Sequence, residues 1–386
     1  MRQVAIDNLV PGMRTARHIY APGVVGNGVP LIAANVVVTE AMVRRLQSSG
    51  VVALLIDDDA SAGIEQTPPI SEETRQGALV VLRNSIQTVS RDSTRLSHEQ
   101  LDEVDAVMAK VITEIAARRN LLVCLSDLNL YGGGAMQRAL DICVMGTAIA
   151  RQYFRAHGWR DFRGNRRDDG IEDRLVKLGT GLLLQDIGMT AVPEHIRDKH
   201  GMLTAEERAI VQQHPMLGLE LLEGGDLSPL TKVTITQHHE RYDGSGYPRG
   251  LSGEDLHDHG QIAAIAEAYI ALCEERRGGR VAYQPHEAFQ MLLNAGGVLF
   301  RPDVVEAFSM SVAPYGVGTS LRLSDGRHAL VVDNDPEAPL APRVRVTHDA
   351  DGVPMAEPLE LDLATIELSI DAVTGGLPGD LSVPVH

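Results

Sequence analysis

The sequence predicts a mainly α protein, with a small α+β module at its N-terminus and a short β extension at its C-terminus. Between residues 71 and 313 the pattern is mainly helical, with apolar residues spaced by three and four. In residues 1–60, turn-forming residues separate short apolar stretches, which indicates short strands. Beyond Pro314, alternating stretches are separated by turn signals such as Ser324-Asp325-Gly326, which is typical of hairpins.

The N-terminal module, residues 1–60, is expected to contain a helix followed by a strand. Thr39 is suited to cap a helix over residues 40–47, because its hydroxyl can accept a hydrogen bond from a first-turn N–H group. Gly50 is suited to end that helix before the strand-like run 51–56. The segment 57–69, which ends in two prolines, marks a boundary.

Residues 61–130 are expected to form a linker followed by amphipathic helices. Ser97, with Gln100 three residues later, fits a capping box at the start of one of these helices. Its apolar residues have helical spacing: Leu101, Val104, Val107, Met108, Val111, Ile112 and Ile115. This stripe motivates the hypothesis of a homodimer formed through residues 71–128.

Charge and cysteine content narrow the function classes. The 386 residues carry 35 Lys and Arg against 52 Asp and Glu, and the net charge of −17 disfavours nucleic acid as a partner. A phosphate ligand therefore needs a local basic pocket. The three cysteines form no CxxC pattern, so neither disulfides nor a thiolate zinc site is predicted, and a cytoplasmic location is expected. No apolar run approaches the ~20 residues that span a bilayer.

The densest group of chemically reactive residues begins at His238-His239-Glu240 and continues through a glycine-rich loop. Two imidazoles there end an apolar helical run, beside a backbone that can approach a ligand closely. Because neighbours on a helix diverge by about 100°, the pair is better suited to two metals, or to one metal and a substrate, than to a single ion. The alternative is that one histidine caps the helix and the other packs in the core.

Two earlier residues are candidates for the same chemistry. Asp186 emerges from an apolar helical stretch, and a buried carboxylate needs a cation or strong hydrogen-bond donors. The alternative is that Asp186 only caps the next turn. His214 precedes Pro215 after a polar, helix-like run, where a single histidine usually only ends a helix.

These residues occur in one order along the chain. Gln185-Asp186-Ile187-Gly188 comes first, then His214-Pro215, then the tandem histidines, and later Ile265-Ala266-Glu267. The loop after the histidines contributes Asp243, Gly244, Gly246, Tyr247 and Pro248. Over roughly residues 131–308 this order resembles the HD-GYP subfamily of HD-domain metal-dependent phosphohydrolases. The resemblance implies a small α+β regulatory module over residues 1–60, an HD-type multi-helix bundle over residues 131–313 and the β extension 314–386.

Members of that subfamily hydrolyse cyclic di-GMP at two or three metal ions, commonly iron or manganese. The resemblance implies that Asp186 is the catalytic, bridging carboxylate and that His214, His238 and His239 are metal ligands. Glu267 stands where the family has an aspartate, and is expected to be a further ligand with shifted geometry.

This sequence departs from the family at several positions. Gln185 replaces the histidine of the HD motif, Arg138 aligns with another ligand histidine, and Met189 replaces a lysine expected to face the substrate phosphate. An amide is a poor ligand for a transition metal, so one or two ions are expected rather than three. Arginines at the family's phosphate-contacting stretch are expected to bind substrate, the alternative being a solvated basic loop: Arg276, Arg277 and Arg280.

The resulting interpretation is a weak metal-dependent cyclic di-GMP phosphodiesterase. The alternative is a non-catalytic module that binds cyclic di-GMP, or docks a diguanylate cyclase domain through the Gly-Tyr-Pro loop. A third possibility is a helical domain that binds neither metal nor nucleotide. The remaining histidines of the central region match no ligand position and are expected at the surface or in loops: His157, His195, His200, His257 and His259.

Overall fold

The computed structural model forms two compact units. It describes residues 1–20, 30–51, 53–92, 95–118, 121–125, 134–160, 163, 165–223, 226–274 and 281–380. One unit comprises residues 1–68, 124–134 and 313–386, and the other comprises residues 69–123 and 135–312. The expected substrate arginines Arg276, Arg277 and Arg280 lie outside the described residues.

The first part of the first unit has a strand, a helix and a second strand. Strand β1 (Arg2–Ala5) pairs antiparallel with β2 (Ala53–Ile56), and α1 (Glu40–Ser48) lies between them in the chain. The predicted cap is confirmed, because the Thr39 hydroxyl accepts a hydrogen bond from the Met42 N–H. Gly50 follows the helix with a φ of 75°, a conformation that glycine adopts without strain.

The last part of the first unit is a five-stranded antiparallel sheet. Its strands are β3 (Ser320–Leu323), β4 (His328–Asp333), β5 (Arg343–His348), β6 (Pro354–Asp362) and β7 (Ile370–Thr374). They lie in the order β6-β5-β4-β3-β7. Alternation along the inner strands buries one row of apolar side chains: Leu321, Leu323, Ala329, Val331, Val344 and Val346. The hairpins predicted beyond Pro314 are confirmed.

The two ends of this unit are joined by backbone and side-chain contacts. The N–H groups of Gln3 and Ala5 donate to the carbonyls of Gly318 and Gly375 at 3.0 and 2.8 Å. Arg2 is only 3% exposed. Its Nε donates to Asp58 Oδ2 at 2.7 Å, and its terminal nitrogens pair with Asp380.

The second unit is a bundle of helices, which confirms the mainly α prediction. Its longer helices are α2 (Glu72–Asp92), α3 (His98–Ala116), α4 (Ala135–His157), α5 (Ile171–Leu184), α8 (His214–Leu222), α9 (Pro229–Gln237), α10 (Asp258–Leu272), α11 (Pro285–Asn294) and α12 (Pro302–Ser309). Two short helices, α6 (Glu194–Arg197) and α7 (Ala205–Val211), lie between α5 and α8. Two-residue strands at Trp159–Arg160 and Arg166–Arg167 form a small hairpin.

Helices α4, α5, α9 and α10 surround the region of the predicted chemistry, since α5 contacts both α4 and α9, and α10 contacts both as well. The capping box of Ser97 and Gln100 is confirmed at the start of α3. The apolar stripe of α3 is buried within the unit, apart from partly exposed Val107. The residues that motivated the homodimer hypothesis therefore have packing partners inside their own chain.

None of the helices in the described part of the chain combines the length and the apolar character needed to cross a membrane.

Candidate metal centre

Four predicted residues meet at one place in the helical unit. Asp186 follows α5, His214 begins α8, and His238 and His239 follow the last residue of α9. One ligand atom from each of the four lies within 4.8 Å of the others. His214 Nε2 is 3.3 Å from Asp186 Oδ1, and His238 Nε2 is 3.8 Å from the same oxygen.

A glycine lets the backbone of Asp186 approach that of His214. Gly188 lies in the 3₁₀ turn Ile187–Ala191, directly after Asp186. A Cβ atom there would lie 2.0 Å from the His214 carbonyl oxygen and 2.5 Å from the Gly218 nitrogen. Only glycine fits this contact without a shift of the backbone. The close approach at Gly188 thus places the Asp186 carboxylate beside the start of α8.

Hydrogen bonds orient two of the histidine rings toward each other. His214 Nδ1 donates to the Val211 carbonyl at 2.8 Å, and His238 Nδ1 donates to the Ile235 carbonyl at 2.7 Å. A carbonyl can only accept, so each Nδ1 carries a proton, and a ring that is neutral presents its Nε2 lone pair. The two Nε2 atoms face each other at 3.1 Å. This arrangement requires a proton or a cation between or beside the two rings.

The charges of this group are strongly coupled. Burial opposes ionisation of Asp186, but the hydrogen bond from His214 and the charges of His214, His238 and Arg138 lower the pKa of this carboxyl. Burial acts to lower the pKa of His214, yet its contact with Asp186 raises it overall. Burial, followed by the charge of His214, lowers the pKa of His238 to about 3. The result is an anionic carboxylate beside His214, whose protonated form it favours, and beside a neutral His238.

The structure brings both tandem histidines into one group, whereas their division between two metals, or between one metal and a substrate, stays a prediction. Helix α9 ends at Gln237, so His239 lies beyond the helix and the 100° divergence of helical neighbours does not apply. The two rings have centroids 4.2 Å apart. Burial, then the charges of the neighbouring histidines, lowers the pKa of His239 well below its usual value, which leaves it a neutral donor.

Glu267, the fifth expected ligand, lies on α10 beside this group but outside it. Its Oε2 is 3.5 Å from His239 Nδ1 and 3.9 Å from His238 Nε2. Its Oε1 lies 3.3 Å from Arg138 Nη2, and Gln185 Nε2 approaches Oε2 at 3.5 Å. Burial, followed by the charge of Asp186, raises the pKa of Glu267 to about 7.

The altered family positions lie around the same carboxylate, apart from Met189. Arg138 extends from α4 and forms a second ion pair with Glu274. Gln185 is fully buried, and its Oε1 has no hydrogen-bond partner among the described residues. Met189 is partly buried in the 3₁₀ turn and brings no charge to the site.

The Gly-Tyr-Pro loop closes over the histidines. The Tyr247 ring stacks on His239 with centroids 4.5 Å apart. A Cβ on Gly246 would lie 2.5 Å from the His239 carbonyl, so the loop backbone passes directly against the histidine segment. Gly244 has a φ of 79°, and Asp243 Oδ1 accepts from the Ser245 N–H at 2.9 Å.

Sequence reasoning assigned no role to the residue that anchors this loop. Glu240 is completely buried, and its two carboxylate oxygens accept from the Arg249 and Leu251 N–H groups at 2.8 and 3.0 Å. The signal in the sequence is a carboxylate placed between a buried helix and a glycine-rich turn. Glu274, the second partner of Arg138, was also missed, because no local pattern marks it.

The predicted surface or loop position of one remaining histidine, His259, is wrong. His259 was expected at the surface or in a loop, but it lies in the first turn of α10 and is completely buried. Helix α10 packs closely against the end of α9 there, since a Cβ on Gly260 would lie 2.5 Å from the Gln237 side chain.

The donors fit a transition metal. Three imidazoles and one carboxylate are the ligand types that iron, manganese and zinc accept in proteins. The carbonyl bonds to Nδ1 of His214 and His238 fix each ring with Nε2 toward the group, which is the outer-shell arrangement usual for metal-binding histidine.

Comparisons with known proteins agree with this site. Residues 172–304 match the HD domain family, and residues 321–369 match the KOW domain associated with HD domain. The second match falls on the C-terminal sheet, which the sequence predicted only as a β extension.

Two curated relatives and one solved structure are similar to the chain. The cyclic di-GMP phosphodiesterase PA4108 of Pseudomonas aeruginosa is 30% identical over 73% of this chain and 64% of its own length. A cyclic di-GMP phosphodiesterase of Thermotoga maritima is 40% identical over 32% of this chain and 34% of its own length. The chain thus spans less than two thirds of either relative.

The solved structure is Bd1817, a HDG"Y"P protein from Bdellovibrio bacteriovorus, which matches with a TM-score of 0.45 and 15% identity over 79% of this chain and 97% of that one. A likeness this loose carries no conclusion.

Proposed function

We infer that this chain, a divergent HD-GYP member of the HD domain family, is a metal-dependent phosphodiesterase that hydrolyses cyclic di-GMP at a reduced metal centre. The HD domain match covers the residues of the candidate centre. Both relatives described above are named as cyclic di-GMP phosphodiesterases, which supports the same substrate here.

The observation that carries this proposal is the pair of facing imidazole nitrogens. His214 Nε2 and His238 Nε2 lie 3.1 Å apart, each with its Nδ1 proton committed to a backbone carbonyl. Two lone pairs at this distance repel each other unless a cation or a shared proton lies with them. Asp186 supplies the negative charge that a cation needs.

We propose iron or manganese as the metal, held by Asp186, His214, His238 and His239, with one or two ions rather than three. When bound, such an ion supplies Lewis acidity for activating water and for neutralising charge on a phosphodiester. Asp186 remains ionised and 32% exposed, so one of its oxygens is available to accept a hydrogen bond from the attacking water. The stacked Tyr247 ring covers one face of His239 and limits water there.

Substrate phosphates require positive charge in a chain whose net charge is −17. Arg276, Arg277 and Arg280 are proposed to supply it, as bidentate partners of phosphate. Asp243, Gly244, Gly246, Tyr247 and Pro248 form the loop proposed to border the substrate.

The other expectations stay predictions: regulation by the N-terminal residues 1–60, docking of a diguanylate cyclase domain, a homodimer and a cytoplasmic location.

The test is hydrolysis of cyclic di-GMP by the full chain, purified without oxygen and loaded with Fe²⁺ or Mn²⁺, with products separated by chromatography. We expect turnover and metal binding to be lost together in a His238→Ala, His239→Ala double variant. His195→Ala, on the exposed side of α6, is the matched control and should retain both. A wild-type chain that binds metal and cyclic di-GMP without turnover would instead identify a non-catalytic binding module.

A further inference from the structure

Arg138 places a permanent positive charge beside the candidate metal centre. Its guanidinium lies 3.3 Å from Glu267 Oε1 and also pairs with Glu274. Guanidinium stays protonated under all ordinary conditions, and the Arg138 side chain is 23% exposed. Solvent therefore screens this charge only in part, and it acts on every ion in the centre.

Both oxygens of Glu267 already face donors supplied by the protein. Arg138 approaches Oε1, while the Gln185 amide approaches Oε2 at 3.5 Å. His239 Nδ1 lies at the same distance from Oε2. The Glu267 carboxylate therefore lies between Arg138 and Gln185 on one side and His239 on the other. A carboxylate that bridges two metal ions lies between its cations in the same way.

A second metal ion at this carboxylate would compete for ligands and meet repulsion. The imidazole nitrogens beside Glu267 Oε2, at 3.5 Å for His239 and 3.9 Å for His238, belong to the four-residue group already. Gln185 offers only a neutral amide, which is a weak ligand for a transition metal. The Arg138 guanidinium would lie within a few ångströms of such an ion, where two positive charges repel strongly in a partly buried site.

We propose that Arg138 is a resident cation that takes the place of a second metal ion at this centre. It neutralises Glu267 and holds that carboxylate away from ligation, so that a single divalent ion binds Asp186, His214, His238 and His239. This inference rests on the metal centre of the proposed function and makes its metal content specific. Gln185 supports the arrangement by contacting the second oxygen of Glu267.

The test counts Mn²⁺ ions bound by the full chain. Chelator-treated protein is equilibrated with Mn²⁺ by dialysis, the bound metal is measured by elemental analysis, and the electron paramagnetic resonance spectrum is recorded. We expect one ion per wild-type chain and the spectrum of an isolated Mn²⁺. In Arg138→Met, the freed Glu267 should strengthen binding of a second ion by roughly tenfold or more, because the repelling charge is gone.

Three further variants sharpen the test. Arg138→Lys keeps the charge and should keep one ion. Arg138→His combined with Gln185→His supplies two imidazoles, and should bind two ions whose spectrum shows magnetic coupling. Arg301→Met removes a similarly exposed arginine, 19% against 23%, from an ion pair elsewhere in the helical unit, and should leave the count at one.

The number of Mn²⁺ ions bound by the wild-type chain tests the proposal even if a variant does not fold. Two coupled ions in the wild-type chain would overturn the role of Arg138 while leaving a metal-dependent phosphodiesterase intact. No bound ion would refute the metal centre itself, and with it both proposals. Folded Arg138→Met protein with unchanged Mn²⁺ affinity at every site would also overturn the inference.

Discussion

Asp141 is an acidic group that burial should keep neutral at ordinary pH. It lies in α4, is 3% exposed, and accepts a hydrogen bond from Gln137 Nε2 at 2.7 Å. Burial raises its pKa from 3.8 to about 8; the nearby Glu274 adds to this rise, whereas Gln137, Arg75 and Arg138 oppose it. The folded chain therefore retains a proton that the unfolded chain releases.

Replacing Asp141 by Asn should stabilise the protein at neutral pH. The stability contributed by the neutral carboxyl is fully present below pH 3.8 and is lost as pH rises toward 8. At about pH 7 the loss spans roughly three pKa units, or about 4 kcal/mol at most. Asn remains neutral and can still accept from Gln137, so Asp141→Asn should escape this loss.

The measurement is urea unfolding of the chelator-treated full chain, followed by far-ultraviolet circular dichroism between about pH 5 and about pH 8. We expect the advantage of Asp141→Asn over the wild type to grow with pH across this interval. Asp102→Asn, exposed on α3, is the control and should show no such trend. An advantage that is absent or independent of pH would refute the reasoning, because Asp141 would then titrate near its ordinary value.

Three further changes test the site and its support. Glu240→Gln keeps one acceptor but turns an amide N–H₂ toward the N–H group of Arg249 or Leu251, at a cost of about 2 kcal/mol. Amide exchange over residues 242–251 should then accelerate roughly 30-fold, and unchanged exchange would contradict the anchoring role. Asp186→Asn should weaken Mn²⁺ binding about 100-fold by calorimetry with helical content preserved, and retained affinity would remove Asp186 from the ligand set. Arg2→Met leaves Asp380 buried without its partner and should destabilise the first unit by about 3 kcal/mol or more, measured by amide exchange of its strands. Adding Asp380→Asn to Arg2→Met should recover part of this lost stability. No recovery would argue against the pairing of Arg2 with Asp380.

Local patterns in the sequence were sufficient for the helices and hairpins. The stripe of α3 and the alternation of β3 to β5 depend on residues two to four positions apart, and their capping groups lie equally close. The order of ligand-type residues likewise indicated the centre. Each of these signals is carried by short stretches of chain.

Contacts between distant residues could not be predicted this way. Arg138 and Glu267 are separated by 129 positions, and nothing near either residue indicates that they form an ion pair. The short distance between the His238 and His239 rings depends on whether α9 ends at Gln237 or one residue later. Sequence patterns do not locate a helix end to within one residue. The burial of His259 likewise depends on the packing of one helix against another.

The first compact unit is built from segments that are far apart in the chain. The chain passes between the compact units four times, at 68/69, 123/124, 134/135 and 312/313. The helical unit is thus inserted into a unit that the first and last segments build together, with Arg2 paired to Asp58 and Asp380. Recombination that exchanged the first segment alone could remove Arg2 and leave the Asp380 carboxylate without its ion-pair partner. The N-terminal segment and the C-terminal sheet are therefore expected to be inherited as one piece, and to diverge in step.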